Sequence, residues 1–144
     1  MSTPYSALLR VRRVVERDAE IAIAQARHTV AALEDGLATL GVLRQRWVES
    51  AFAAAPGSTG VHGQITAIEA TETALAASLA RAEVALDEAR AVWTERHRDR
   101  RVAEELETRT LEERRLEAER REQAVTDDLA AILRLRATGV WGEA

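Results

Sequence analysis

Three histidines, His28, His62 and His97, are the side chains of this sequence best suited to acid–base or metal chemistry near neutral pH, and they stand far apart along it. A chain that doubles back near residue 59 brings His28 and His97 close enough for a cross-helix contact. No third ligand at fixed spacing joins them, so a metal centre is not expected there. The absence of cysteine removes thiolate nucleophiles, thiolate-ligated metals and disulfides. Neither G-x-x-x-x-G-K-[ST] nor G-x-G-x-x-G occurs, so no glycine-rich loop is present to hold phosphates. No catalytic, metal or cofactor-binding residue is expected, no cofactor is implied, and the chain should act by binding rather than as an enzyme.

The elements that would position these residues follow from composition. Only 7 of 144 residues are Gly and 2 are Pro, too little turn chemistry for a sandwich, a barrel or a βαβ series. Hydrophobic residues reach 47%, but 29 of the 144 are Ala, so no thick core can form. Charged residues at 31% beside abundant Ala, Glu, Arg and Leu point to long helices or a coiled coil. The net charge of −4 argues against a nucleic-acid partner, which would require a cationic surplus. All 20 basic residues are Arg, which reads as compositional bias. No apolar run marks a secretory signal, and no stretch of 18 apolar residues marks a membrane span, so the chain is expected to be cytoplasmic.

Thr3 and Pro4 form a helix-start signal. From there Leu8, Val11, Val15, Ala19, Ala22, Ala26, Val30, Leu33 and Leu37 recur at three- and four-residue steps, and Leu40, Leu43, Trp47 and Ala51 continue the stripe. The spacing predicts a helix over 5–55. Residues 56–63 hold one of the two prolines and three of the seven glycines, and predict a loop that returns the chain antiparallel. A second helix is predicted over 64–137, with a heptad seam at Ile65, Ile68, Glu72, Leu75, Leu79, Ala82, Leu86, Ala89 and Trp93. Gly139 supplies its stop, and residues 138–144 should fray. The expected fold is all-α: one domain over 1–144, a long antiparallel two-helix coiled-coil hairpin with a C-terminal helical overhang. Folding about Thr59 sets Leu40 against Leu79, Leu33 against Leu86 and Ala26 against Trp93. The first helix then runs out near residue 114, leaving about twenty residues of the second helix alone.

Between Thr94 and Gln123, 19 of 30 residues are charged, with both signs interleaved. Glu105 with Arg109 and Glu117 with Arg121 have the acid four residues before the base, the favourable helical order. Such a stretch suits a solvated helix, or a shaft entering a polar cavity of a partner. Beyond it Ala124, Val125, Leu129, Ile132, Leu133 and Leu135 form an apolar stripe that has outrun the first helix, a candidate binding surface, a self-association face or a segment that folds back. Among the tryptophans, Trp93 belongs to the seam, Trp47 lies near the reversal with Leu40, Leu43 and Ile68 as a candidate protein-binding patch, and Trp141 lies past the helix end. Gly36 and Gly41 inside the first helix are tolerated small residues or points of close approach.

The opening Tyr5-Ser6-Ala7-Leu8-Leu9-Arg10-Val11-Arg12-Arg13, followed by Glu16 and Ala19, resembles the N-terminus of the FliJ family of flagellar type III export proteins. Trp93 with the basic residues after it, and Glu119-Arg120-Arg121-Glu122-Gln123 followed by Asp127-Asp128-Leu129-Ala130, are similar to later family patterns, with Asp128 where the family usually has Glu. The resemblance implies a non-enzymatic stalk at the axis of a hexameric (FliI-like) export ATPase. Such a stalk promotes ATPase assembly and activity, contacts the cytoplasmic part of an (FlhA-like) export gate and escorts substrate chaperones. It implies a cytoplasmic protein peripheral to the inner-membrane export apparatus, without insertion into the membrane. On this resemblance the ATPase side would use Arg10, Arg12, Arg13, Arg17, Arg120, Arg121, Gln123, Asp127, Asp128, Leu129 and Ile132, with Arg12, Arg13, Arg120 and Arg121 meeting acidic groups. The gate side would use Leu40, Leu43, Trp47 and Ile68. A (YscO-like) injectisome stalk and a coiled-coil scaffold without an ATPase partner are the competing readings.

Overall fold

The structure is a computed structural model that describes residues 2–53 and 59–139. Its two helices are α1, Pro4–Ala53, and α2, Thr59–Ala137, and no strand occurs among the described residues. The all-α, antiparallel two-helix coiled coil read from the apolar spacing is the fold observed.

Thr3 caps α1, and Pro4 opens it. The Thr3 hydroxyl accepts the Ser6 N–H at 3.1 Å while the Ser6 hydroxyl accepts the Thr3 N–H at 3.0 Å, a reciprocal cap with Ser in the position more often held by Glu or Gln. From α2, Glu107 accepts the Ser6 hydroxyl at 2.5 Å and the Thr3 hydroxyl at 3.4 Å, which fastens the start of α1 to its neighbour. At the far end of α2 the Thr138 N–H bonds the Arg134 carbonyl, and Gly139 adopts a φ of 73°, the left-handed turn that stops a helix.

α2 begins at Thr59 rather than at residue 64, so Gly60, Val61, His62 and Gly63 are helical and the predicted loop is shorter by five residues at that side. Glycine weakens a helix without forbidding it. Here the run that reads as a breaker is carried by the length of helix behind it. α1 is described to Ala53, and residues 54 and 55, the last two expected in it, lie outside the described residues.

Packing divides the chain into two compact units, one comprising Met1–Arg12 with Asp99–Ala144, the other Arg13–Arg98. Within the second unit the helices run antiparallel. Arg44 Nε meets Glu72 Oε1 at 3.4 Å, Leu75 Cδ1 lies 3.6 Å from where a Cβ on Gly36 would sit, and His97 Nδ1 meets Glu16 Oε1 at 2.7 Å. Within the first, Arg12 Nη1 donates to Asp99 Oδ2 at 3.0 Å, and Ser6 meets Glu107.

These pairs lie about one heptad from the register expected for a reversal at Thr59, which would have set Glu16 level with residue 103. Because α2 starts earlier, each α1 residue meets a residue of α2 about seven positions nearer to the reversal.

The α2 seam is the one its heptad predicts: Ile68 and Leu86 are buried, and Ile65, Glu72, Leu75, Leu79, Ala82, Ala89 and Trp93 are half-buried. Ala103 extends it. On α1 the stripe holds at Val15 and Ala19 and from Ala26 through Leu40, but at its other early positions the inward residue is the next one along. Leu9 is buried while Leu8 is 39% and Val11 59% exposed, and Arg12, Glu16 and Ile23 turn inward where Ala22 was expected. Arg12 and Glu16 can turn inward among apolar neighbours because Asp99 and His97 on α2 receive them.

Replacing Thr3 with Ala removes the cap oxygen and is expected to destabilise the hairpin by about 1–2 kcal/mol in urea unfolding. An unchanged midpoint would show the cap to be idle. A Cβ at Gly41 meets nothing within 4 Å, so Gly41→Ala is expected to stabilise by about 0.5–1 kcal/mol, a gain that a lowered midpoint would contradict.

Candidate partner-binding surface

α1 covers α2 only as far as Thr110, the last half-buried residue before the chain opens to solvent. Arg114 reaches back to the Ser2 carbonyl at 3.4 Å. From Leu111 to Leu129 every side chain is exposed, and between Leu111 and Gly139 only Ala130 is half-buried. The free arm is therefore somewhat longer than the twenty residues expected, as the earlier register requires.

A single helix in water needs local support, and this arm has it on its surface. Arg115 Nε pairs with Glu119 at 3.3 Å and Arg121 Nη2 with Glu117 at 2.6 Å, both four residues apart. Each such exposed pair contributes roughly 0.3–0.5 kcal/mol.

The arm's apolar side chains are open: Val125 is 59% exposed, Leu129 56%, Ile132 47% and Leu133 64%. Leu111, Ala118, Val125 and Ile132 stand seven apart on one face, with Leu129 between the last two, so the stripe begins further back than Ala124. Leu111 and Ala118 escape a reading that follows runs of apolar residues, because single apolar positions are lost among charged neighbours; their seven-residue interval is the signal that finds them. An apolar stripe left in water along a charged helix has the form of a surface made for a partner.

The arginines expected at this end differ in how they are held. Arg12 is tied to Asp99, Arg13 has a partner within the chain, and Arg121 is tied to Glu117. Arg10, Arg17 and Arg120 are exposed and carry no ion pair among the described residues. Gln123, Asp127 and Asp128 are exposed on the arm near Leu129.

Toward the reversal, Leu43 is 40% exposed, and Leu40 and Trp47 are half-buried. Ile68 lies in the seam at 7% exposure and offers a partner almost nothing, because the period that puts it beside Trp47 also aims it at α1. Phe52 at the end of α1 is 88% exposed, a large apolar side chain in this region that falls off the seam period. Trp141 lies outside the described residues.

The histidines are not brought together. His97 meets Glu16, which lies about 18 Å along α1 from His28, and His28 and His62 are exposed. Among the described residues no group of His, Asp and Glu could hold a metal ion. His97 stacks on Trp93 with ring centroids 4.9 Å apart, and the Trp93 Nε1–H is buried with no hydrogen-bond partner. Trp93 lines an open groove with Glu20, Ile23, Arg27, Arg90 and Thr94, not an enclosed pocket. Among the described residues no helix is long and apolar enough to cross a membrane.

No curated protein and no solved structure matches the chain. A family model described as "Flagellar FliJ protein" matches residues 1–139, nearly the whole sequence. The resemblance at Tyr5 to Arg13, at Trp93 and at Glu119 to Ala130 thus extends along both helices, and the chain belongs to the FliJ family, whose role is connected with flagellar protein export.

Proposed function

We propose that this chain is the non-enzymatic stalk of a flagellar type III export apparatus, seated at the axis of its hexameric export ATPase. It promotes assembly and activity of the ATPase, couples it to the cytoplasmic part of the export gate and escorts substrate chaperones. It is cytoplasmic and held peripherally at the inner membrane by these partners. The observation that carries the reading is the arm: a helix prolonged past its neighbour, charged around most of its girth and apolar along one stripe. An arm of this kind suits the central hole of a ring of subunits whose walls are polar and which offers one apolar contact to the stripe.

In this reading Leu129 and Ile132 are anchors, the side chains whose burial supplies affinity. Arg120, Arg10 and Arg17 are cations available to acidic groups on the ring. Arg12 is a structural cation, already engaged by Asp99. Leu43 and Trp47 form the gate-facing patch, with Phe52 beside them in sequence. Agreement with a flagellar family model supports the flagellar system over an injectisome.

Titrating the export ATPase with this chain is expected to accelerate ATP hydrolysis. Leu129→Asp combined with Ile132→Asp should raise the half-saturating concentration by at least about tenfold with helicity retained. Arg120→Glu should weaken stimulation without loss of stability, whereas Arg12→Glu should lower stability because it faces Asp99. Unaltered hydrolysis across the titration would leave a coiled-coil scaffold as the function.

Leu43→Asp combined with Trp47→Ala is expected to weaken binding to the gate's cytoplasmic domain by about tenfold while ATPase stimulation stays unchanged. Equal binding by this variant and the unaltered chain would remove the patch from the gate contact.

A further inference from the structure

The apolar seam of this coiled coil fits two registers. A slide of α1 by seven residues along α2 replaces Leu75 by Ala82 beside Gly36 and sets Leu40 level with Leu79, Leu33 with Leu86 and Ala26 with Trp93, all apolar layers. A heptad repeat carries no information about which multiple of seven is correct. The polar contacts do. The slide moves Arg44 from Glu72 to Leu79, Arg12 from Asp99 to Leu106, and Ser6 from Glu107 to Arg114. It also moves Glu16 from His97 to Glu104.

Of these contacts the one at Glu16 discriminates most. Arg12, Asp99 and Arg44 are a third or more exposed at their side chains, and water replaces much of what they lose. The Glu16 side chain is only 10% exposed, and His97 meets it at 2.7 Å while stacking on Trp93. Moved level with Glu104, the same carboxylate would give up His97 for a carboxylate that already holds Arg100 at 2.9 Å, an acceptor with no proton to offer it. A seven-residue slide moves the centre of the reversal by about three and a half residues, and on the α2 side Gly60 and Gly63, with nothing within 4 Å of a Cβ, make the start of the helix easy to unwind.

We propose that Glu16, through His97, selects one of two heptad-related registers of this hairpin and thereby sets where the free arm begins. Glu16 is a positioning residue: it touches no partner, yet it decides how much of α2 a partner can reach. In the slid register α1 would cover α2 to about residue 117, shortening the arm by two turns, about 10 Å. The effect on a partner rests on the stalk reading above; the choice of register does not.

Because the chain has no cysteine, the register can be read by disulfide formation in the full-length protein. Gly36→Cys with Leu75→Cys reports the observed register, and Gly36→Cys with Ala82→Cys reports the slid one. In the otherwise unaltered chain the first pair should close intramolecularly at least about tenfold faster than the second. Combining His97→Ala with Glu104→His moves the partner of Glu16 by one heptad, and the pair joining positions 36 and 82 should then close the faster. Glu16→Leu, which leaves an apolar seam and keeps the hairpin folded whatever the register, should bring the two rates toward parity. Rates whose ratio shifts by less than about tenfold in both backgrounds, with helicity retained, would overturn the proposal. The readout needs no ATPase, so a failure here is distinct from a failure to stimulate hydrolysis.

Discussion

The molecule depends on a thin seam between two helices, in which few side chains are fully buried. Among the described residues the buried apolar side chains are Leu9, Ala19, Ile68, Leu86 and Ala103, two of them alanines. Alanine buries little area, and area buried is what drives two helices together. A seam of this kind must be long to be stable, and α1 supplies 50 residues of it. Such a seam is also tolerant, since apolar layers repeat along it at intervals of seven residues. Its uniqueness must come from contacts that are costly to misplace, which in this protein are the buried polar residues Thr3 and Glu16 and the groups that receive them. Polar groups turned inward near the start of α1 thus act as the addresses of an otherwise repetitive interface.

Where that interface ends, function begins. Past Thr110 the described side chains of α2 are exposed apart from the half-buried Ala130, and Arg114 makes the last bond to the start of α1 among the described residues. The pairs Arg115–Glu119 and Arg121–Glu117 favour helix in the arm without covering its apolar stripe. On the proposed function, support and recognition are divided around one helix: charges on part of the circumference stiffen it, and Leu129 and Ile132 on another part remain open. An isolated helix held by local pairs is only marginally stable in water, so docking would order the arm as well as bind it. Engagement by a ring and completion of the helix would then be one event.

Much of this was legible in the sequence, and the parts that were not share a cause. The α2 seam was readable residue by residue, because Ile65 to Trp93 keep a strict heptad and the structure turns all of them inward. The arm and its stripe from Ala124 onward were readable because charge and apolar spacing change together near Gln123, whereas Leu111 and Ala118 stand singly among charged residues. The first turns of α1 were misread by one residue. Periodicity assigns Leu8 and Val11 to the core, while the folded chain turns in Arg12 and Glu16, whose partners lie 87 and 81 positions away in sequence and leave no local trace. The register was misread by a heptad for the same reason. The glycines at 60 and 63 were given to a loop because propensity is local, whereas the start of α2 is decided by the helix it continues. At the candidate site, the positions of Arg12, Arg13, Arg120 and Arg121 were evident, but which guanidinium was already engaged was a matter of tertiary structure.

Amide hydrogen exchange along α2 tests the central claim most directly, since it reads coverage by α1 and engagement of the arm in one experiment. Alone, the chain should show protected amides through the seam and a fall in protection beyond Thr110; with the export ATPase present, protection should extend through Leu129 and Ile132. Protection that is already uniform to Ala137 in the isolated chain, or an arm that exchanges equally fast with and without the ATPase, would contradict the account.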